Sequence, residues 1–236
     1  MTKKRMKKFI YSIMVSGALL FATTSCEDSV DDPSVVTYFA ELTLNGEDFI
    51  KLSVGDTYTE PGYTATEGEE DITDRVVISG TVDTTTPGFY DLTYSVANTD
   101  GFSVTDTRQV MVVDPNNFAS AYFGETAIGT RHYTDAPVVI SDNGDGTYTI
   151  DDLMGGFQWY GLNPGFEPTY DFHAEAIITL NADNTISLQE VGSWSSDALG
   201  ITDPLTIQSG SYDPATGVIT LAIGYAGSTL SVTLTK

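Results

Sequence analysis

One cysteine, two histidines and ten basic residues stand in a chain of 236, and each scarcity excludes something. The single thiol, Cys26, closes no intramolecular disulfide, so stability has to come from buried cores. Ten Lys and Arg against 33 Asp and Glu give a net charge of -23. That field repels phosphate backbones and excludes nucleic acid as a partner. No apolar run is long enough to span a bilayer: residues 9–22 give 14 uncharged, mostly apolar positions, where a spanning helix needs about 20. After Cys26 no stretch repeats apolar residues at helical spacing. The chain also lacks a nucleophile motif and a phosphate-binding glycine loop, so neither a catalytic residue nor a cofactor is assigned.

What is present at the N-terminus has the order of an export signal. Lys3, Lys4, Arg5, Lys7 and Lys8 precede the apolar run, and small Thr24 and Ser25 lead into Cys26. This order resembles bacterial lipoprotein signals, in which a small residue precedes the cysteine that receives lipid. The expectation is a signal at residues 1–25 and lipidation of Cys26, with Thr23 departing from the leucine usual three positions before the cysteine. Buried acyl chains contribute about 0.8 kcal/mol per methylene, so two or three of them anchor a protein firmly. Without residues 1–25 the remainder carries -28. Residues 26–37 then read as an acidic, Pro-containing tether extended by self-repulsion. This segment is similar to the acidic stretch after the lipidated cysteine of surface lipoproteins of the Bacteroidota. A lipid-anchored outer-membrane protein facing the cell exterior is the implied location; a plain linker is the alternative.

With 41% apolar and 18% charged residues the rest is no disordered acidic tail. From residue 38 to 113 apolar residues alternate, as in Tyr90, Leu92, Tyr94 and Val96, and breakers such as Asn45-Gly46, Pro61-Gly62 and Asp100-Gly101 separate the runs. The pattern predicts a β-sandwich. The series Leu42-Thr43-Leu44-Asn45-Gly46, Tyr58-Thr59-Glu60-Pro61-Gly62, Pro87-Gly88-Phe89-Tyr90 and Asp100-Gly101 is similar to the bacterial Ig-like repeat of surface proteins and of one class of insecticidal crystal proteins. That resemblance implies an Ig-like fold acting as a spacer, without catalytic residues.

Asp114-Pro115-Asn116-Asn117 is turn-rich, and the expected domains are 38–113 and 114–236. In the second, hairpin signals at Asp142-Asn143-Gly144-Asp145-Gly146, Asn181-Ala182-Asp183-Asn184 and Asp213-Pro214-Ala215-Thr216-Gly217 separate strands near 147–151, 174–180, 185–188, 206–212, 218–223 and 229–234. The fold class is therefore all-β, with an antiparallel meander closed as a barrel or folded as a sandwich. These elements, together with Gly155-Gly156-Phe157, resemble the C-terminal domain of a Bacteroidota lipoprotein family whose members often accompany glycan-uptake loci. The resemblance implies a glycan ligand and outer-membrane uptake proteins as partners.

Oxygen ligands gather at Asp142, Asn143 and Asp145 and at Glu67, Glu69, Glu70, Asp71 and Asp74. The first fits an Asp-Gly hairpin better than a calcium loop, and the second fits a solvated acidic loop. Asp171, His173 and Glu175 alternate along one strand face, but no further histidine lies nearby, so no metal is assigned. The aromatics are more informative. Phe157, Trp159 and Tyr160 lie among glycines and prolines, where a loop leaving the sheet is expected. Trp194, in Gly192-Ser193-Trp194-Ser195-Ser196, sits in a polar segment that leans toward exposure. Flat rings beside amides suit the apolar faces and hydroxyl edges of sugars, although such rings also fill sandwich cores. Phe157, Trp159, Tyr160 and Trp194 are the candidate ligand-binding residues. The acidic field disfavours anionic polysaccharides, which leaves a neutral glycan as ligand. A purely structural spacer or adhesive module is the second reading, and a carboxylate-dependent glycoside hydrolase the third.

Overall fold

A computed structural model describes residues 37–162, 172–190 and 192–236. Cys26, the expected signal and the expected tether as far as residue 36 lie outside the described residues. Residues 38–236 form one compact unit, in which every strand falls into one of two lobes.

The first lobe carries β1 (Ala40–Leu44), β2 (Phe49–Ser53), β3 (Tyr63–Glu67), β4 (Glu70–Asp71), β5 (Val77–Ser79), β6 (Gly88–Ala97) and β7 (Ser103–Val113). They make a three-stranded sheet, β1-β3-β4, facing a four-stranded sheet, β2-β7-β6-β5, in which β2 runs parallel to β7. The alternation on β6 turns Leu92, Tyr94 and Val96 inward, as a half-buried strand requires. Positive φ at Gly46, Gly62 and Gly101 confirms three of the expected breakers. The apolar core is divided. Leu44, Leu92 and Tyr94 form one small cluster, and Ala65, Ile72 and Val96 form another.

A polar network joins the two sheets. Arg108 on β7 is fully buried. It donates to the Glu60 carboxylate, to Tyr94 Oη at 3.2 Å, to the Glu47 carbonyl at 3.1 Å and to the Asn45 carbonyl at 2.5 Å. Glu60 also accepts from Tyr94 and, at 2.5 Å, from Tyr58. A buried charge is tolerated only when paired and hydrogen-bonded in this way.

The second lobe carries β8 (Ser120–Ile128), β9 (Arg131–Asp142), β10 (Tyr148–Ile150), β11 (Phe172–His173), β12 (Ala176–Leu180), β13 (Ile186–Leu188), β14 (Gly192–Ser196), β15 (Ile201–Asp213), β16 (Val218–Tyr225) and β17 (Ser228–Thr235). They form one sheet in the order β11-β14-β15-β16-β17-β8-β9-β10-β12-β13, with every neighbouring pair antiparallel. A bridge between Thr185 and Ser211, with the Tyr212 N–H donating to the Asn184 carbonyl at 2.9 Å, brings the β13 end back onto β15. The sheet thus closes into a barrel, and β14 and β11 extend from it. Its interior is one continuous apolar cluster that includes Tyr122, Ile140, Ile150, Leu205, Ile223 and Val232.

Met111 and Val113 of β7 pack with Ala121 of β8, and Phe89 and Phe123 cover them. The Phe123 ring lies 5.4 Å from each of Phe49 and Phe89. At the turn-rich junction the Asp114 N–H donates to Ser120 Oγ at 2.9 Å. Strands β8, β9 and β14 were not among the strands expected from the sequence. The polar run Arg131-His132-Tyr133-Thr134-Asp135 disguises β9, and serines disguise β14. Among the described residues no helix is long and apolar enough to cross a membrane.

Candidate functional site at the barrel mouth

The segment after β10 turns into the barrel instead of away from it. Asp152 accepts the Met154 and Gly156 N–H groups, both at 2.8 Å, which folds the chain back on itself. Burial pushes the Asp152 carboxyl up, and the two N–H groups only partly offset this. Gly155 and Gly156 adopt φ of 57° and 83°. A side chain at Gly156 would collide with Ala136, so only glycine passes here. Leu153, Met154 and Phe157 therefore plug the interior, and a π-helical turn spans Phe157–Leu162. The expected rigid excursion from the sheet is corrected: the Gly-Gly pair permits close approach to the wall, and the apolar side chains follow it in.

The four candidate aromatics fare differently. Phe157 is 1% exposed and Trp194 8%, while Tyr160 keeps 45% and Trp159 is half-buried. The lean of Trp194 toward the surface is corrected by strand alternation. On β14 the residues Gly192, Trp194 and Ser196 face inward, and Ser193 and Ser195 are less buried. Phe172 and Tyr225 bring three of the four together. Phe157 lies 5.7 Å from Tyr225, Trp194 lies 6.2 Å from both Tyr225 and Phe172, and Trp159 lies 5.5 Å from Phe172. Most are edge-on or tilted contacts, worth about 0.5–1.5 kcal/mol each beyond burial. Trp194 Nε1 and Ser196 Oγ are buried without a hydrogen-bond partner.

Tyr225, which the sequence reading passed over, links this cluster to the surface. Its hydroxyl accepts from the Gln158 amide at 3.0 Å, and the residue also borders an open groove of about 550 Å³ lined by Asp203, Thr206, Gln208, Gly224 and Thr229. Two features of the backbone shape the groove. First, Ile207 pairs with Ile223 but Ser209 with Ala222, so Gln208 is the extra residue of a β-bulge. The bulge lets Leu205 and Ile207 face inward before it and Gly210 and Tyr212 after it, while Gln208 points out. Second, the β16–β17 hairpin turns on two residues, Ala226 and Gly227, with φ of 49° and 75°. Two positive φ values match the twist of a tight hairpin, but alanine is an unfavourable residue there. Strain of this kind concentrates at functional positions.

The groove has unspent hydrogen-bonding capacity. Gln208 Oε1 accepts from Thr229 Oγ1 at 2.9 Å, whereas among the described residues nothing bonds to its amide nitrogen or to the exposed Asp203 carboxylate. Gly224 leaves room for this arrangement, since a Cβ there would stand 2.5 Å from Thr206 Oγ1 and 3.1 Å from Gln208 Nε2. An amide donor beside a carboxylate acceptor can hold a polyhydroxylated ligand. The signal was faint in sequence: Gln208 and Tyr225 belong to predicted strands or their margins and carry no motif.

The other acidic clusters are engaged locally. Asp142 and Asp145 accept N–H groups of their own turn at 2.8 and 2.9 Å, which is the hairpin reading. Glu67 binds Thr99 and Arg75, Glu70 binds Arg75 at 2.6 Å, and Asp71 accepts the Thr73 N–H. Asp171 lies outside the described residues. Among the described residues no group of three or more His, Cys, Asp or Glu is placed to hold a metal ion.

The fold and its two lobes define the class, an Ig-like domain followed by a β-barrel domain. A family model for a bacterial surface protein Ig-like domain matches residues 42–112, and a second family model, for a C-terminal domain, matches residues 112–236. Among solved structures, the lipoprotein BT2262 from Bacteroides thetaiotaomicron is 33% identical, with 84% of this chain and 100% of that chain covered and a TM-score of 0.58. The chain belongs to the family of this Bacteroides lipoprotein. A Clostridium perfringens ZmpB structure with its CBM51-2 module in complex with GlcNAc matches at 14% identity over 83% of this chain and 44% of that chain, with a TM-score of 0.27. A similarity that low carries no argument. No curated protein matches the chain.

Proposed function

We propose that this is a lipid-anchored surface protein whose barrel binds a neutral glycan in the groove beside Tyr225, while the Ig-like lobe carries the barrel away from the membrane. Lipidation of Cys26 is the anchor, which the lipoprotein relative and the order of residues 3–26 support. One observation carries the glycan reading: Gln208 and Asp203 present an unspent donor and acceptor in the groove bordered by Tyr225. The contact surface thereby moves from Phe157 and Trp194, which are buried, to the polar groove of Gln208 and Asp203. The protein acts without catalysis in this reading, by holding polysaccharide for outer-membrane uptake proteins. A spacer or adhesive role is the second reading, favoured by the exposed rings of Tyr38, Phe39 and Phe102 on the Ig-like lobe.

A panel of soluble polysaccharides titrated against the full-length protein tests the proposal. A neutral member should bind, and Gln208→Ala and Asp203→Asn should each weaken it by about two- to tenfold, the range of one hydrogen bond. Both side chains are exposed, so folding should be unaffected. Wild-type affinity in both variants would overturn the assignment of the groove. Retention of Cys26→Ser in the membrane fraction would overturn the anchor.

A further inference from the structure

We propose that a second depression at the barrel mouth binds a small carboxylate with an apolar body, and that Arg131 receives the carboxylate. The depression has a volume of about 340 Å³ and is lined by Ile128, Arg131, Phe157, Leu162, Tyr225 and Thr229 among others. It shares Tyr225 and Thr229 with the glycan groove but differs in chemistry, and it stands independently of that reading.

The register explains how a charged residue comes to this face. Gly124 pairs with Ala136, but Thr126 pairs with Tyr133, so Thr134 and Asp135 of β9 stand opposite the single Glu125, and β9 carries one extra residue, with Asp135 at φ 66°. Before this bulge Ala136, Val138 and Ile140 face the interior; beyond it Tyr133 does, opposite buried Thr126. Arg131 lies two residues further on, opposite Ile128, and so shares the inner face where the barrel opens. His132 and Glu125 point to the outer face and pair with each other at 2.7 Å.

Charge supplies the second argument. The described residues contain three arginines. Arg75 is paired with Glu67 and Glu70, and Arg108 with Glu60. Among the described residues the Arg131 side chain has no hydrogen bond, ion pair or ring contact. In a chain with 33 acidic residues, a guanidinium left unmatched at the rim of an apolar depression is an available counter-charge. Guanidinium geometry favours a carboxylate in two-point contact. The floor of Ile128, Phe157, Leu162 and Tyr225 suits a single ring or short chain, and the volume lies at the lower end for small-ligand sites.

Titration of the full-length protein with 3-phenylpropanoate and with its methyl ester, followed by NMR amide shifts, tests this. The acid should move the amides of Ile128, Arg131 and Tyr225, and the ester should bind about fivefold more weakly, the size of one exposed ion pair. Arg131→Gln should bring the acid down to the ester's affinity without changing the thermal midpoint or the binding of any neutral glycan. Equal binding of acid and ester, unchanged affinity in Arg131→Gln, or no binding of the acid would each overturn the proposal.

Discussion

The two lobes solve the same problem with different means. The barrel buries one continuous apolar cluster, with Thr126 Oγ1, Trp194 Nε1 and Ser196 Oγ buried without a partner among the described residues. The Ig-like lobe has two small apolar clusters and relies on Arg108 and Glu60 to tie its sheets together. The small sandwich divides its apolar core, and a paired charge between its sheets becomes costly once one partner is removed. The barrel should therefore respond to loss of volume and the Ig-like lobe to loss of charge.

The largest effects should come from the cores. Trp194→Ala should cost about 3–5 kcal/mol, the range for large-to-small core changes, in chemical denaturation followed by tryptophan emission. Both tryptophans, Trp159 and Trp194, belong to the barrel, so this signal reports on that lobe. Trp194→Phe should cost much less, because it also removes the unpartnered Nε1. Similar losses in both variants would contradict the packing argument. In the other lobe, Arg108→Met leaves Glu60 without its charge partner and should cost about 3 kcal/mol, with fast amide exchange confined to residues 40–113. Stability unchanged in that variant would remove the contrast between the lobes.

Acid should separate the lobes more gently. Burial raises the Glu60 carboxyl, but hydrogen bonds from Tyr58, Tyr94 and Arg108 outweigh it and hold the group below its ordinary value of 4.5. A carboxylate depressed by folding stabilises above its unfolded value, and that stability is lost as pH falls further. The Asp152 carboxyl is raised, so its contribution has the opposite sign: it favours the fold at low pH and weakens as pH rises past its ordinary 3.8. Between pH 6 and 3 amide protection, taken relative to the intrinsic exchange rate at each pH, should fall in the Ig-like lobe before the barrel loses its tryptophan signal. The reverse order would contradict the assignment.

The smallest effect is at the groove. Ala226→Gly relieves a left-handed alanine and should raise stability by up to about 1 kcal/mol, a rise of roughly 2–4 °C in Tm for a chain of this size.

The same contrast explains what was legible beforehand. Alternation along Tyr90, Leu92, Tyr94 and Val96, and the Asn-Gly and Asp-Gly turns, disclosed the all-β class because one face of each strand is buried. The barrel's closure was harder to see, because bulges at Gln208 and at Thr134–Asp135 break the period of two on which strand reading depends. Arg131 and Gln208 were missed for that reason. Trp194 was misread because its flanking serines describe the opposite face. Glycines around Phe157 allow either an outward loop or an inward plug, and only Ala136 and Thr126, distant in sequence, decide between them.

The division of labour between the lobes is tested most directly by mapping backbone amide shifts as the best-binding neutral polysaccharide fragment is added. The account predicts shifts in residues 203–208 and 224–229, with residues 40–113 unmoved. Shifts centred on Tyr38, Phe39 and Phe102, or no fragment that binds, would contradict it.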